Sequence, residues 1–326
     1  MHKIHTIKQT LRDASFTHKL LFFTKVIIAA IVLYIIVSKI GASDIYHIFL
    51  SADPYFLLTA ILLLPLNIFF QYYKWKLLCN ETLNEQHKRS IFFSLMQGIS
   101  VGLFTPARLG EILGRKLSLK HNSLLEVTIM TAVDKLFNLF AVGFFGAVAV
   151  LFYMSYHLNI DAMITTSLAI LIVFVFAFFL LLLISEEYWR ILILDFLSRF
   201  KIMQKVKPKL QVLKQLNKAL LIKLSLFSIL QYGVYLSQFA LLSAAFAERP
   251  DLFIFGWIGA LMFFTKTLIP SISYGELGIR EAVSIYFLTA FGYSQVIGFN
   301  ASISIFFINI LIPSAAGIVF LFIRDN

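Results

Sequence analysis

Apolar stretches of membrane-spanning length, separated by short charged segments, set the pattern of this chain. Six such stretches, at about 20–38, 55–73, 127–153, 163–184, 219–247 and 294–323, each approach or exceed the roughly 20 residues that a helix needs to cross a bilayer. The first is too long for the apolar region of a signal peptide, and no small-residue cleavage site follows it. Lys25 near its start snorkels to the interface. Two further apolar runs are shorter or broken. Residues 91–104 are interrupted by Gly98, Ser100 and Gly102, and residues 252–269 by Gly256, Gly259 and Lys266. Their length and breaks suit re-entrant segments better than full crossings.

Each broken run leads into a charged stretch, and the two stretches echo one another. The first contains Pro106, Arg108, Gly110, Glu111, Gly114 and Arg115; the second contains Pro270, Gly275, Glu276, Gly278, Arg280 and Glu281. Both read proline, a spacer, Gly-Glu, one or two residues, glycine, then arginine. Charged side chains are costly at membrane depth, so a repeated pattern of them calls for a physical reason. The expectation is that the two copies line one shared polar site. Arg108, Arg115 and Arg280 suit phosphate through bidentate hydrogen bonds. Glu111, Glu276, Glu281 and Asp134 balance those charges or exchange protons. Gly110, Gly114, Gly275 and Gly278 allow close backbone approach or hinging, and Pro106 and Pro270 end the helices.

Other polar residues lie inside the long spans. Asp134, Lys135 and Asn138 sit in the third, with Asp134 and Asn138 on one helix face. An intramembrane aspartate calls for a cation, and Arg108 or Arg115 can supply it. A substrate site and a structural ion pair are both open readings of Asp134. Asn67 and Gln71 share a face of the second span, where hydrogen bonds between helices are the plainer reading. The seven histidines fall in loops or the lead-in. No His/Cys cluster, nucleotide-binding glycine loop or nucleophile–base pair occurs, so neither a metal nor a cofactor is expected.

Composition agrees with a membrane class. The chain of 326 residues is 60% hydrophobic and only 14% charged, with a mean hydropathy of +0.86. That leaves one transmembrane domain over 1–326. The net charge of +11 is concentrated between spans, which argues for cytoplasmic loops facing anionic lipid rather than for nucleic acid. Lys74, Lys76, Lys88 and Arg89 mark one such loop, and a lysine-rich segment at 185–218 reads as an amphipathic linker on the membrane surface. A short outer loop holds Asp44 and Asp53. Both termini then lie in the cytoplasm. The fold class is all-α polytopic: two inverted repeats, about 20–153 and 163–323, each of three transmembrane helices plus one re-entrant hairpin. The alternative is eight spans, with both arms of the second hairpin crossing fully.

The element Asn67-x-x-x-Gln71-x-x-Lys74-Trp75, residues 106–111, Asp134-Lys135 and residues 270–281 together resemble the lysylphosphatidylglycerol synthase transmembrane (flippase-like) family. Residues 275–281 are similar to its Gly-Gly-x-Gly-x-Arg-Glu signature, with Glu276 in place of a small residue; Asp134-Lys135 stands where Glu-Arg is frequent. The resemblance implies a prokaryotic cytoplasmic-membrane protein that moves a phospholipid, or another anionic amphiphile such as a polyprenyl-phosphate-linked one, between leaflets. The sequence ends at Asn326 without the soluble aminoacyl-transfer domain, so translocation without synthesis is expected. A membrane-embedded enzyme acting on a lipid headgroup is the alternative, as is a non-transporting partner of a synthase or glycosyltransferase.

Overall fold

The computed structural model describes residues 34, 37–38, 42–105, 108–119, 121–191, 207–269 and 277–322, and these are helical with short connections and no strand. Most of the first apolar stretch lies outside the described residues. Ala42–Leu50 (α1) makes a short helix where the sequence suggested only an outer loop. Pro54–Leu62 (α2) and Leu64–Thr82 (α3) form one bent rod. Pro65 causes the bend: it has no N–H to give to the carbonyl four residues back, and its ring crowds that turn. Asp53 caps α2 by accepting from Tyr55 N at 2.8 Å.

Lys88–Leu103 (α4) and Gly110–Leu117 (α5) fold back on each other as a hairpin. Leu124–His157 (α6) begins with a capping box between Ser123 and Glu126. It is followed by Ala162–Leu183 (α7) and the short Glu186–Arg190 (α8). After an undescribed stretch come Lys207–Leu210 (α9) and a 3-10 turn, Gln211–Gln215. Lys218–Ala245 (α10), Leu252–Leu268 (α11), Ile279–Ala290 (α12) and Gln295–Phe306 (α13) complete most of the second half. A π turn, Phe307–Leu311, joins α13 to Ile312–Phe322 (α14). Pro313 explains the widened turn, because it removes the N–H that would have bonded the Asn309 carbonyl.

Among the described residues, five helices or helix pairs are long and apolar enough to cross a membrane: Pro54–Thr82, Leu124–His157, Ala162–Leu183, Lys218–Ala245 and Gln295–Phe320. They coincide with five of the six spans expected from the pattern. α10 is the axial helix, packing on α2, α3, α6, α11 and α13. α7 is the opposite case, exposing Phe174, Phe178 and Leu181 along a face with almost nothing buried, as a lipid-facing helix would.

The last span is divided in its packing, with α13 against α12 and α14 against α4. Ser100 donates to the Ser314 carbonyl at 2.7 Å and Gln97 to that of Phe320 at 3.0 Å. A Cβ on Gly317 would fall 2.2 Å from the Met96 carbonyl oxygen, so this crossing needs a glycine. The expectation of a surface linker is only partly met. Residues 192–206 lie outside the described set, but Val212, Leu213 and Leu216 are buried in the main core beside Trp189 and Leu220.

Candidate functional site

The site is built on the α4/α5 hairpin. Its turn is drawn tight by Thr105, whose hydroxyl accepts from Gly110 N at 2.7 Å while its carbonyl accepts from Arg108 N at 3.1 Å. Arg108 adopts φ = 55°, a left-handed backbone uncommon for a residue with a side chain. The helices then run in near backbone contact: a Cβ at Gly114 would stand 2.4 Å from the Gln97 carbonyl oxygen, and one at Gly110 2.6 Å from that of Val101. This closeness carries Glu111 and Arg115, one turn apart on α5, into the interior against α6.

There they join a buried ion network. Arg115 Nη2 lies 2.7 Å from Glu111 Oε1 and 3.1 Å from Asp134 Oδ2. Lys135 Nζ reaches Glu111 Oε2 at 3.0 Å, and Arg108 Nε lies 3.9 Å from the same oxygen. Asp134 Oδ1 faces Lys74 Nζ at 3.1 Å. Lys74 also donates to Asn138 Oδ1 and, at 3.2 Å, to Ser228 Oγ. Asp134 therefore holds two cations, one expected and one not. Lys74 is not the loop charge the sequence suggested: it lies inside α3 with 1% of its side chain exposed. Three aromatic residues precede or follow it in the same turn, and the helix runs on for two more turns, which keeps it inside.

Trp75 completes the cluster. Its ring lies 4.2 Å from the Arg115 guanidinium carbon, close enough for a cation–π contact. Its indole N–H donates to Ser94 Oγ at 3.1 Å, and Ser94 in turn donates to the Arg115 carbonyl at 2.7 Å. The guanidinium is thus fixed from three directions.

Arg108, Glu111, Arg115, Asp134 and Lys135 border a cavity of about 310 Å³ whose wall is completed by Gln71, Asn138, Val142, Ser228, Gln231, Tyr232 and Tyr235. Arg108 and Lys135, with 33% and 45% of their side chains exposed, stand at its mouth. Arg115 Nε and Nη1 and the Tyr232 hydroxyl have no hydrogen-bond partner although buried. A separate apolar groove of about 240 Å³ is lined by Phe140, Phe144 and Phe145 of α6, Phe176 of α7 and Ile229 of α10. Phe145 stacks on Tyr232 at 5.6 Å, so the two recesses share a wall.

The described residues expected to make one site fall into two groups. Arg280 and Glu281 do not border this cavity. Arg280 donates through Nη2 to Glu281 Oε1 at 3.1 Å and through Nε to Ser302 Oγ at 3.2 Å, and its guanidinium lies over Phe306. Glu281 accepts from Gly278 N at 2.6 Å, capping α12, and Gly278 holds φ = 92° there. These contacts tie α12 to α13. Pro106, Pro270, Gly275 and Glu276 lie outside the described residues.

Asn67 and Gln71 follow the plainer reading and extend it. Gln71 Nε2 donates to Asn67 Oδ1 at 3.1 Å, Asn67 Nδ2 to Asn309 Oδ1 at 2.6 Å, Asn309 Nδ2 to Gln238 Oε1 at 2.9 Å, and Gln238 Nε2 to the Ala60 carbonyl at 3.1 Å. Four amides pointing the same way run from the cavity wall to the bend between α2 and α3. Lys74, Ser228 and Tyr232 are among the site residues that the sequence does not single out. The signal for Lys74 was its position three residues after Gln71, on the same face, together with the need of Asp134 for a buried cation.

A comparison with curated proteins found no match. The family model described as the lysylphosphatidylglycerol synthase TM region matches residues 22–317, and with the buried charges now placed on the helices that the resemblance singled out, this integral membrane protein belongs to that family.

Proposed function

We propose that the protein moves an amphiphile with an anionic headgroup between the leaflets of a membrane. The observation that carries this reading is the cavity lined by Arg108, Arg115 and Lys135 against two carboxylates, Glu111 and Asp134, with Lys74 paired to Asp134. Such a recess offers a headgroup the polar partners it loses on leaving water, while the apolar groove behind the shared wall suits a hydrocarbon chain.

The architecture taken with this reading is a pair of inverted repeats with re-entrant hairpins. α4 and α5 form the first hairpin and α11 and α12 the second. At 1.5 Å per residue, α4 and α11 extend about 24 and 26 Å, short of the roughly 30 Å hydrocarbon core. The way the last span leans with one half on each hairpin supports the same pairing. In this arrangement the first hairpin meets the headgroup, and Arg280 and Glu281 hold the second hairpin in shape.

Reconstitution into liposomes with a fluorescent phospholipid that a membrane-impermeant reductant bleaches tests the proposal. The protein is expected to expose inner-leaflet probe to bleaching, and Glu111→Gln or Asp134→Asn to slow this at least about tenfold while the fold persists, since each leaves Arg115 or Lys74 with an unbalanced buried charge. Full bleaching with both variants, or none with the native chain, would overturn it. Chemical turnover of the headgroup would instead support the membrane-enzyme alternative.

A further inference from the structure

We infer that the cavity takes a phosphate monoester in its dianionic form in preference to a phosphodiester. The inference rests on the proposed headgroup reading and narrows it to one chemical class.

The argument is charge and donor balance. The four cations and two carboxylates of the ion network leave two positive charges in excess: Arg108, Arg115 and Lys135 line the recess, Lys74 stands against Asp134 at 3.1 Å, and Lys74, Glu111, Arg115 and Asp134 are almost wholly buried. The ion pairs within the network use Arg115 Nη2 for both carboxylates and leave Nε and Nη1 without acceptors; Arg108 Nε and the Tyr232 hydroxyl are likewise buried and unbonded. Unsatisfied buried donors are costly, and here they border the cavity. The occupant that satisfies both conditions carries two negative charges and several acceptor oxygens. A phosphate monoester has three terminal oxygens and about −1.5 to −2 charge near neutrality, whereas a diester has two terminal oxygens and a single charge. Arginine and tyrosine donors bordering one recess suit the former. The shared wall with the apolar groove favours a monoester carried on a lipid over a free one.

Binding to the full-length protein in detergent tests this, with probes of equal chain length: phosphatidic acid as monoester, phosphatidylglycerol as diester, phosphatidylcholine as zwitterion, and inorganic phosphate and glycerol phosphate as free anions. At about pH 8, where the monoester carries its second charge, phosphatidic acid is expected to bind about tenfold more tightly than phosphatidylglycerol. Lys135→Gln and Arg108→Gln, which change mouth residues with little effect on packing, are expected to bring the two lipids within about threefold. Equal affinity of the native chain for the two lipids would overturn the inference whatever the variants do. So would a monoester preference that neither variant reduces. Competition by glycerol phosphate at the same concentrations as phosphatidic acid would uphold the dianion preference and reassign the site to a soluble ligand. Leaflet exchange of phosphatidylglycerol without any monoester preference defeats this inference and leaves transport standing; monoester preference without exchange does the reverse.

Discussion

Lys74 shows how much one side chain can hide. It reads as the first of a basic cluster, yet α3 carries it inward, while Lys76, two residues on and about 200° around the helix, turns away and lies near the Tyr73 ring. Asp134 was legible because an acid inside an apolar span has no bland surface explanation. Its arginine partner was legible for the same reason. The lysine was not, because local composition does not reveal that a helix continues past the apolar run when its next turns pack on Val212 and Leu213. Removing one partner from a buried network leaves the other charge uncompensated. Lys74→Met is therefore expected to destabilise the protein by about 3–5 kcal/mol, read from chemical unfolding in detergent. Lys74→Arg is not expected to restore the native value, since a planar fork cannot occupy the point between Asp134, Asn138 and Ser228 that an ammonium fills.

Among the elements, the α4/α5 hairpin was the more readable and the last span the less. Gly110 and Gly114 signal close approach in the sequence and Gly98 and Gly102 a break in the apolar run, and the two arms do meet backbone to backbone. Gly114→Ala would place a methyl group 2.4 Å from the Gln97 carbonyl oxygen and should cost at least about 1–3 kcal/mol as the hairpin is forced open. Because opening it withdraws Glu111 and Arg115 from Asp134, leaflet exchange should fall even where the variant still folds. The π turn in the last span had no comparable announcement. Pro313 hinted at a break, but a proline alone does not say that Asn309 will turn toward Asn67 and Gln238. That depends on three helices meeting, which is a tertiary fact. Asn309→Leu leaves an amide on either side without its partner and is expected to cost about 2–4 kcal/mol. The double variant Asn67→Leu/Asn309→Leu should lose less than the sum of the singles, a non-additivity that unfolding midpoints would expose.

At the scale of the whole molecule, the sequence conveyed the class, five spans and the family, because each follows from long apolar runs or from repeated local motifs. What it left open was how the second hairpin lies. Full crossing puts the tip between α11 and α12 on the same side as the Asn84 turn; a re-entrant hairpin leaves it accessible from the side of Asn159. Cysteine labelling separates the two. In a Cys79→Ala background, single cysteines at Asn84, Asn159 and Leu268 can each be probed in sealed vesicles of known orientation with an impermeant maleimide. Cys79 is buried in the main core, so its replacement by alanine removes background labelling at some cost in packing. Leu268 is two-thirds exposed at the end of α11 and so is open to the reagent. The inverted-repeat reading expects Leu268→Cys to label from the same side as Asn159→Cys and from the side opposite Asn84→Cys. Labelling on the Asn84 side would make α11 and α12 full crossings. The shortness of α12, about 18 Å over its twelve residues, would then require the bilayer to thin around it. The symmetry argument for transport would fall with that result, but the buried charge network at Asp134 would keep its excess of positive charge.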